Sequence, residues 1–318
     1  MNKHVMWIFL ALVSLMLIAQ IGCGSAEESG TAGEGREQKI AEITDQTFLP
    51  SALTFSEDFR HIAYAVRVGK RQRVVVDGEN QEVYDGIMIG TPLFMGDSDR
   101  VIYIAKDNAP GSDKEGEDEE EAKREGEKWY VVRDGKSQKK YDFILPYSLK
   151  VSPDAGRMVY AARLGARHVL VDGEREFEGG EGIDVKSIVF SEDGSRLIYS
   201  YRNERQFYVS DTQNTFGPYV FLDGESIVIS DDGRHVAYVV RDKDRKTFIV
   251  VDGKELGPYN RTVGLESQSR RRPGPMRGRD MMDPSEKKPK DLRFTEDGRL
   301  LFYGLREGTI YRVLVDLD

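Results

Sequence analysis

Apolar and polar residues alternate along most of this chain in short runs, each closed by Asp, Gly or Ser, the pattern of short β-strands and tight turns. Helical periodicity of useful length appears nowhere after the N-terminal apolar stretch. One segment returns. FSEDFRHIAYAVR (Phe55–Arg67) comes back as FSEDGSRLIYSYR (Phe190–Arg202) and as ISDDGRHVAYVVR (Ile229–Arg241). Six starts fit this template: Phe55, Phe94, Val151, Phe190, Ile229 and Phe294, at gaps of 39, 57, 39, 39 and 65 residues. Each has Asp three places on (Asp58, Asp97, Asp154, Asp193, Asp232, Asp297) and Tyr nine places on (Tyr64, Tyr103, Tyr160, Tyr199, Tyr238, Tyr303). The two long gaps hold charged insertions, near 107–128 and 264–290; without them the period is close to 40.

Each unit reads as four strands. In the first, SALTFS is innermost, RHIAYAVR second, RVVVDG third and EVYDGI fourth. Asp folds its side chain onto turn backbone and Gly takes positive φ without steric cost. The Val-Asp-Gly of 76–78 recurs at 171–173 and 251–253, a hairpin signal after a β-branched run. Four short antiparallel strands per repeat of this length form one blade of a β-propeller. The Ser-x-Asp-Gly…Tyr signature resembles the TolB-like, PD40 class of WD40-like repeats over Gln38–Asp318, without the Gly-His and Trp-Asp pairs of true WD40 repeats. That resemblance implies an all-β, six-bladed propeller. The sixth unit stops after a third strand, YRVLVDLD, and EQKIAEITDQTF ahead of the first unit aligns with the fourth strands of units one and two. Lys39–Ile43 is therefore expected to complete the last blade and remove a free sheet edge.

The ends and the charge add to this picture. Val5–Ala19 is an apolar core of secretory-signal length behind Lys3, shorter than the roughly 20 residues a membrane span needs. It leads into QIGCGS, whose Cys23 is the only cysteine and so has no internal disulfide partner. This resembles the lipobox of bacterial lipoproteins, with Gly22 fitting the pattern and Gln20 departing from it. The resemblance implies a signal peptide over 1–22, lipid on Cys23, and an extracytoplasmic protein at the periplasm or cell surface. Small polar residues over 23–37 read as a flexible tether, with the propeller over 38–318. A net charge of −9 argues against general nucleic-acid affinity. The charge is uneven: 113–128 carry nine acidic and four basic side chains, 270–290 eight basic and three acidic.

No catalytic or metal constellation is legible, and no cofactor is expected. The innermost strands, read as SALTF, TPLF, SLKV, SIVF, SIVI and DLRF, hold one carboxylate, Asp291, and no histidine. His61 and His235 share a repeat place after the first turn, where a hairpin surface role outweighs ligation. There is no G-x-S-x-G elbow and no P-loop. Twelve places after each start stands a cation: Arg67, Lys106, Arg163, Arg202, Arg241 and Arg306. All six are expected on one face of the disc. The acidic insertion, a second-to-third loop, and the basic one, read as the crossing from blade five to blade six, are expected on that same face. These features predict a monomeric, non-catalytic binding or scaffold module, tethered by lipid, with an envelope protein or charged polymer as partner. The alternative is a hydrolase or lyase working at the channel mouth.

Overall fold

The computed structural model describes residues 48–107, 127–262 and 292–317, all within one compact unit, Ile40–Asp318. Cys23, the tether, the closing segment Lys39–Ile43 and nearly all of both insertions lie outside the described residues. Among the described residues there is no helix. The chain is an all-β propeller, and the described residues form six antiparallel sheets. The first runs Phe48–Phe55, Ile62–Val68, Arg71–Val76 and Glu79–Tyr84 in spatial order; the fourth and fifth repeat that meander over Gly182–Tyr219 and Phe221–Tyr259. In the second, third and sixth sheets the inner strand is broken into two short pieces that both pair with the second strand. The sixth sheet has Leu300–Arg306 and Thr309–Val315 as its second and third strands, with no fourth among the described residues.

The strand boundaries differ from the sequence expectation at the crossings. EVYDGI is not one strand: Glu79–Tyr84 closes the first sheet, Asp85 turns, and Gly86–Ile87 already pairs with Lys106 and Ala105 of the second. Inner strands are therefore longer than read, and in the fourth and fifth sheets they run Gly182–Phe190 and Phe221–Ile229. Midway along each is a bulge, at Asp184/Val189 and Asp223/Val228. A buried hydroxyl spans it. Ser187 Oγ donates to the Asp184 carbonyl at 2.6 Å and accepts the Ser200 N–H at 2.7 Å; Ser226 does the same with Asp223 (2.5 Å) and Val239 (2.8 Å). Ser148 and Thr91 occupy the same place in the third and second sheets. Each hydroxyl stands in for a ladder bond that the bulge removes and gives one N–H of the second strand its partner.

The turn after the inner strand is built by a hydroxyl and a carboxylate together. Ser56, Ser152, Ser191 and Ser230 each donate to the Asp two residues on, at 2.5–2.6 Å, and each accepts a backbone N–H from five residues on. The second sheet departs from the template: Met95 replaces that serine, Ser98 bonds the Met95 carbonyl instead, and Asp97 does not cap. The residue after the turn Asp takes positive φ: glycine in the last three sheets (Gly194, Gly233, Gly298), Ala155 in the third and Phe59 in the first at 57°, a conformation costly for a bulky side chain.

Hydrophobic clusters fill the seams between consecutive sheets, one for each of the five neighbour pairs from first–second to fifth–sixth. Tyr103, Tyr160, Tyr199 and Tyr238 lie in these seams, each facing the preceding sheet, with edge-on rings Tyr84–Tyr103, Tyr141–Tyr160 and Tyr219–Tyr238 at 5.7–5.9 Å. Burying each such side chain contributes about 1.5–3 kcal/mol. Tyr303 breaks the expected ladder and is 42% exposed. The turn of the sixth sheet closes from Thr295 N–H to Arg299 O, one residue shorter than Ser230 N–H to His235 O in the fifth. Because side chains alternate faces, a one-residue slip turns Tyr303 outward and brings Phe302 against Tyr259. The outward face of the first sheet (Ile62, Tyr64, Val66, Val75) shares no cluster with the sixth among the described residues.

Candidate binding faces

Antiparallel strands put the inner-to-second and third-to-outer turns on one face, the turn face, and the second-to-third loops and sheet crossings on the other, the loop face. The six repeated cations end second strands and so sit on the loop face. Their surroundings differ. Arg67 is exposed. Lys106 pairs with Glu127 at 2.7 Å and lies 5.4 Å from the Trp129 ring; Arg202 approaches Glu181 at 3.5 Å. Arg163 lies over Phe143 at 5.9 Å, Arg241 over Phe221 at 4.8 Å and Arg306 over Tyr259 at 5.0 Å. Such stacking holds a guanidinium in place, and Arg306 Nε also donates to the Pro258 carbonyl at 3.2 Å. Arg306 is not in the expected register: after the slip, Leu305 pairs as Arg241 does in the fifth sheet, and Arg306 lies one place further on.

The acidic insertion leaves from Asp107 and returns at Lys128, which pair across the second and third strands, so it is a loop-face connection. The basic insertion is not a crossing. Arg261–Thr262 and Leu292–Phe294 both pair with Leu300–Arg306, so the segment between them interrupts the inner strand of the sixth sheet. It starts where the other sheets place their bulge. Arg261–Thr262 is too short to show a pattern in the sequence, and only its pairing assigns it to the sixth sheet.

Inner strands of neighbouring sheets lie against one another, first with second, fourth with fifth and fifth with sixth. The longer strands bring in carboxylates that the sequence reading left out: Asp184, Asp223 and Glu225, beside Lys186. The approach is close, since a Cβ on Gly224 would come within 2.2 Å of Asp184 Oδ2. Lys186 Nζ pairs with Glu225 at 2.5 Å, and burial pushes the Asp223 carboxyl up, opposed in part by the Glu225 N–H that bonds it. Lys150, on the inner strand of the third sheet, is desolvated, which pulls its ammonium down. Among the described residues no group of three His, Cys, Asp or Glu converges as metal ligands.

The turn face carries a repeated device that the sequence reading missed. Six places after the start, five sheets have a cation or histidine that clasps the Asp at the end of the third strand. The pairs are His61–Asp77 (2.7 Å), Arg100–Asp134 (2.8 Å), Arg157–Asp172 (2.7 Å), Arg196–Asp211 (3.3 Å) and His235–Asp252 (2.7 Å). In the sixth sheet the shortened turn brings Arg299 to that place, and it bonds Asp297 of its own turn. The signal was available, as a basic residue recurring opposite the Asp of Val-Asp-Gly. His61 and His235 are thus hairpin clasps. His168 lies elsewhere, at the start of a third strand, with a buried Nδ1 that has no hydrogen-bond partner.

Two of the arginines do more. Arg157 Nη1 donates to the carbonyls of Gly194 (2.9 Å) and Ser195 (2.7 Å) in the next sheet's turn, with its guanidinium 5.3 Å from the Phe190 ring. Arg196 Nη1 repeats this on Gly233 (3.0 Å) and Arg234 (2.7 Å). An imidazole is too short for both jobs. A cavity of about 380 Å³ between the first and second sheets is lined by Asp77, Glu79, Asp99, Arg100, Tyr103 and Asp134.

No protein-family model and no curated protein matches the chain. Among solved structures it is similar to TolB from Acinetobacter baumannii, at 16% identity and a TM-score of 0.31, over 64% of this chain and 52% of that one. It is also similar to Pyrococcus horikoshii acylaminoacyl peptidase (13%, TM-score 0.34, 82% of this chain and 44% of that one). A third likeness is to a β-propeller domain from Myceliophteria thermophila (13%, TM-score 0.31, 64% and 69%). The chain thus spans about half the length of that TolB. What the chain is follows from its own sheets: an all-β propeller.

Proposed function

We propose that this chain is a non-catalytic binding or scaffold propeller, held on the outer side of a bacterial membrane by lipid on Cys23, with an envelope protein or charged polymer as its partner. One observation carries the reading. Second strands from all six sheets deliver a cation to the loop face, and three of those guanidinium groups are held over aromatic rings. A face of pre-positioned donors suits recognition of an anionic surface. Capture from solubilised envelope tests it, comparing the full chain with an Arg67→Glu/Arg163→Glu variant and with one whose insertions are replaced by short Gly/Ser links. The charge-reversed protein should fold normally and lose its partner, and capture by the intact protein should weaken as salt rises. Capture that survives both changes would move the partner off this face. For the anchor, Cys23→Ala should abolish lipid labelling and release the protein to the soluble fraction; retention in the membrane, uncleaved, would make the N-terminus a signal anchor. The hydrolase or lyase reading draws on Asp223, whose raised carboxyl beside Asp184 could act as an acid; it requires a turnover that Asp223→Asn abolishes.

A further inference from the structure

One turn departs from its counterparts at an exposed aromatic residue. Where the residue after the turn Asp takes positive φ, four sheets place glycine or alanine there, and the first places Phe59 at 57°. A bulky residue in that region costs stability, and burial does not offset the cost here, because Phe59 is 72% exposed. Glycine would make the same turn without strain. The ring beside it is out of place too. Phe55 starts the first unit, and its ring centroid lies 6.2 Å from that of Phe59. The other five starting residues, from Phe94 to Phe294, pack into the seam against the preceding sheet. Phe55 is 45% exposed, and Leu53, two places back on the same strand, is exposed as well. Two neighbouring aromatic rings therefore stand in water on the turn face. Their rim is acidic. Glu57 and Asp58 precede Phe59 in the turn, and Asp58, Asp77 and Asp99 all lie close enough to His61 to act on its charge. Arg60 is the turn's one arginine, and it approaches Asp58 at 3.4 Å.

We propose that Phe59 and Phe55 anchor a second docking surface, on the turn face, for a protein segment that presents an apolar face flanked by Lys or Arg. Aromatic side chains are enriched at the centre of protein interfaces, and the charge of the rim selects the partner's charge. The same carboxylates argue against a bilayer, because the surface of a membrane rich in anionic lipid repels them. This surface and the cations of the loop face lie on opposite sides of the disc, so each can be disabled without the other.

Calorimetric titration of the full chain tests this, using an amphipathic Lys/Leu helical peptide, its Glu/Leu counterpart, and phosphatidylglycerol vesicles. The Lys/Leu peptide should bind and the Glu/Leu peptide should not. Phe59→Gly should melt no lower than the parent, since glycine takes positive φ freely. It should nevertheless weaken the Lys/Leu peptide about tenfold, the loss that follows from one aromatic side chain no longer buried on binding. Phe59→Trp should bind as the parent does. Arg67→Glu/Arg163→Glu, which disables the loop face, should leave this binding unchanged, because at physiological salt charges on the far side of the disc are screened. A Phe59→Gly protein that binds the Lys/Leu peptide as tightly as the parent would overturn the proposal. So would vesicle binding that falls with Phe59→Gly while peptide binding holds, which would assign the rings to a membrane.

Discussion

Four turn aspartates, Asp58, Asp154, Asp193 and Asp232, are held below the ordinary carboxylate range, first by the serine hydroxyl two residues earlier and then by backbone N–H bonds. Asp297 is lowered too, first by Arg299 and then by Thr295. A carboxyl that is more acidic in the folded state stabilises the fold above its unfolded pKa, about 3.9, and loses that effect as pH falls through the folded value. His61 has the opposite sign. Its hydrogen bond to Asp77 raises its pKa, so its contribution is full below about pH 6.5 and disappears as pH rises through the folded value. Thermal melts across pH should therefore show a fall in Tm at both ends, below about pH 4 from the turns and above about pH 7 from the clasp. His61→Gln should flatten the alkaline limb and leave the acid limb alone. An alkaline limb that persists unchanged would mean the clasp adds nothing to stability.

At the level of strands, the sixth sheet is the one with a place unfilled among the described residues, and Thr309–Val315 is its last strand. Removing residues 24–36 should barely move the melting temperature, whereas removing residues through Ile43 should cost several kcal/mol if that segment supplies the fourth strand and covers apolar surface. Equal melting of the two truncations would show that the edge is closed in some other way. The repeat spacing, turn residues and alternation made the propeller legible, because each is local and recurs. Strand ends were less so. Asp85 looks like the middle of EVYDGI, and only its pairing with the second sheet shows where the blade stops. The slip in the sixth sheet was hidden because FTEDGRLLFY still puts Tyr303 at the ninth place; the missing residue lies between Asp297 and the strand, and only facing direction reveals it. The clasps needed two distant positions to be read together, the sixth place of each unit and the Asp that ends its third strand.

Across the whole molecule the seams are not equivalent. Every described seam has an apolar filling, but only those joining the third, fourth and fifth sheets also carry an arginine bonded to both neighbours. The first-to-second and fifth-to-sixth seams have a histidine in that place, each clasped to an Asp of its own sheet. The charge-assisted bonds each contribute a modest amount beside the apolar burial, yet they act where turns meet and rotation between sheets would begin. Tension applied between residues 48 and 317 should therefore peel the molecule from its two ends inward. In an optical trap the first and sixth sheets should give way at low force, and a core spanning 143–259 should yield later and at once. Arg157→Ala and Arg196→Ala together should merge the two events into one graded extension. A protein that must keep its shape while something pulls on one rim would gain from this arrangement, since the middle sheets would stay in register after the outer ones had let go.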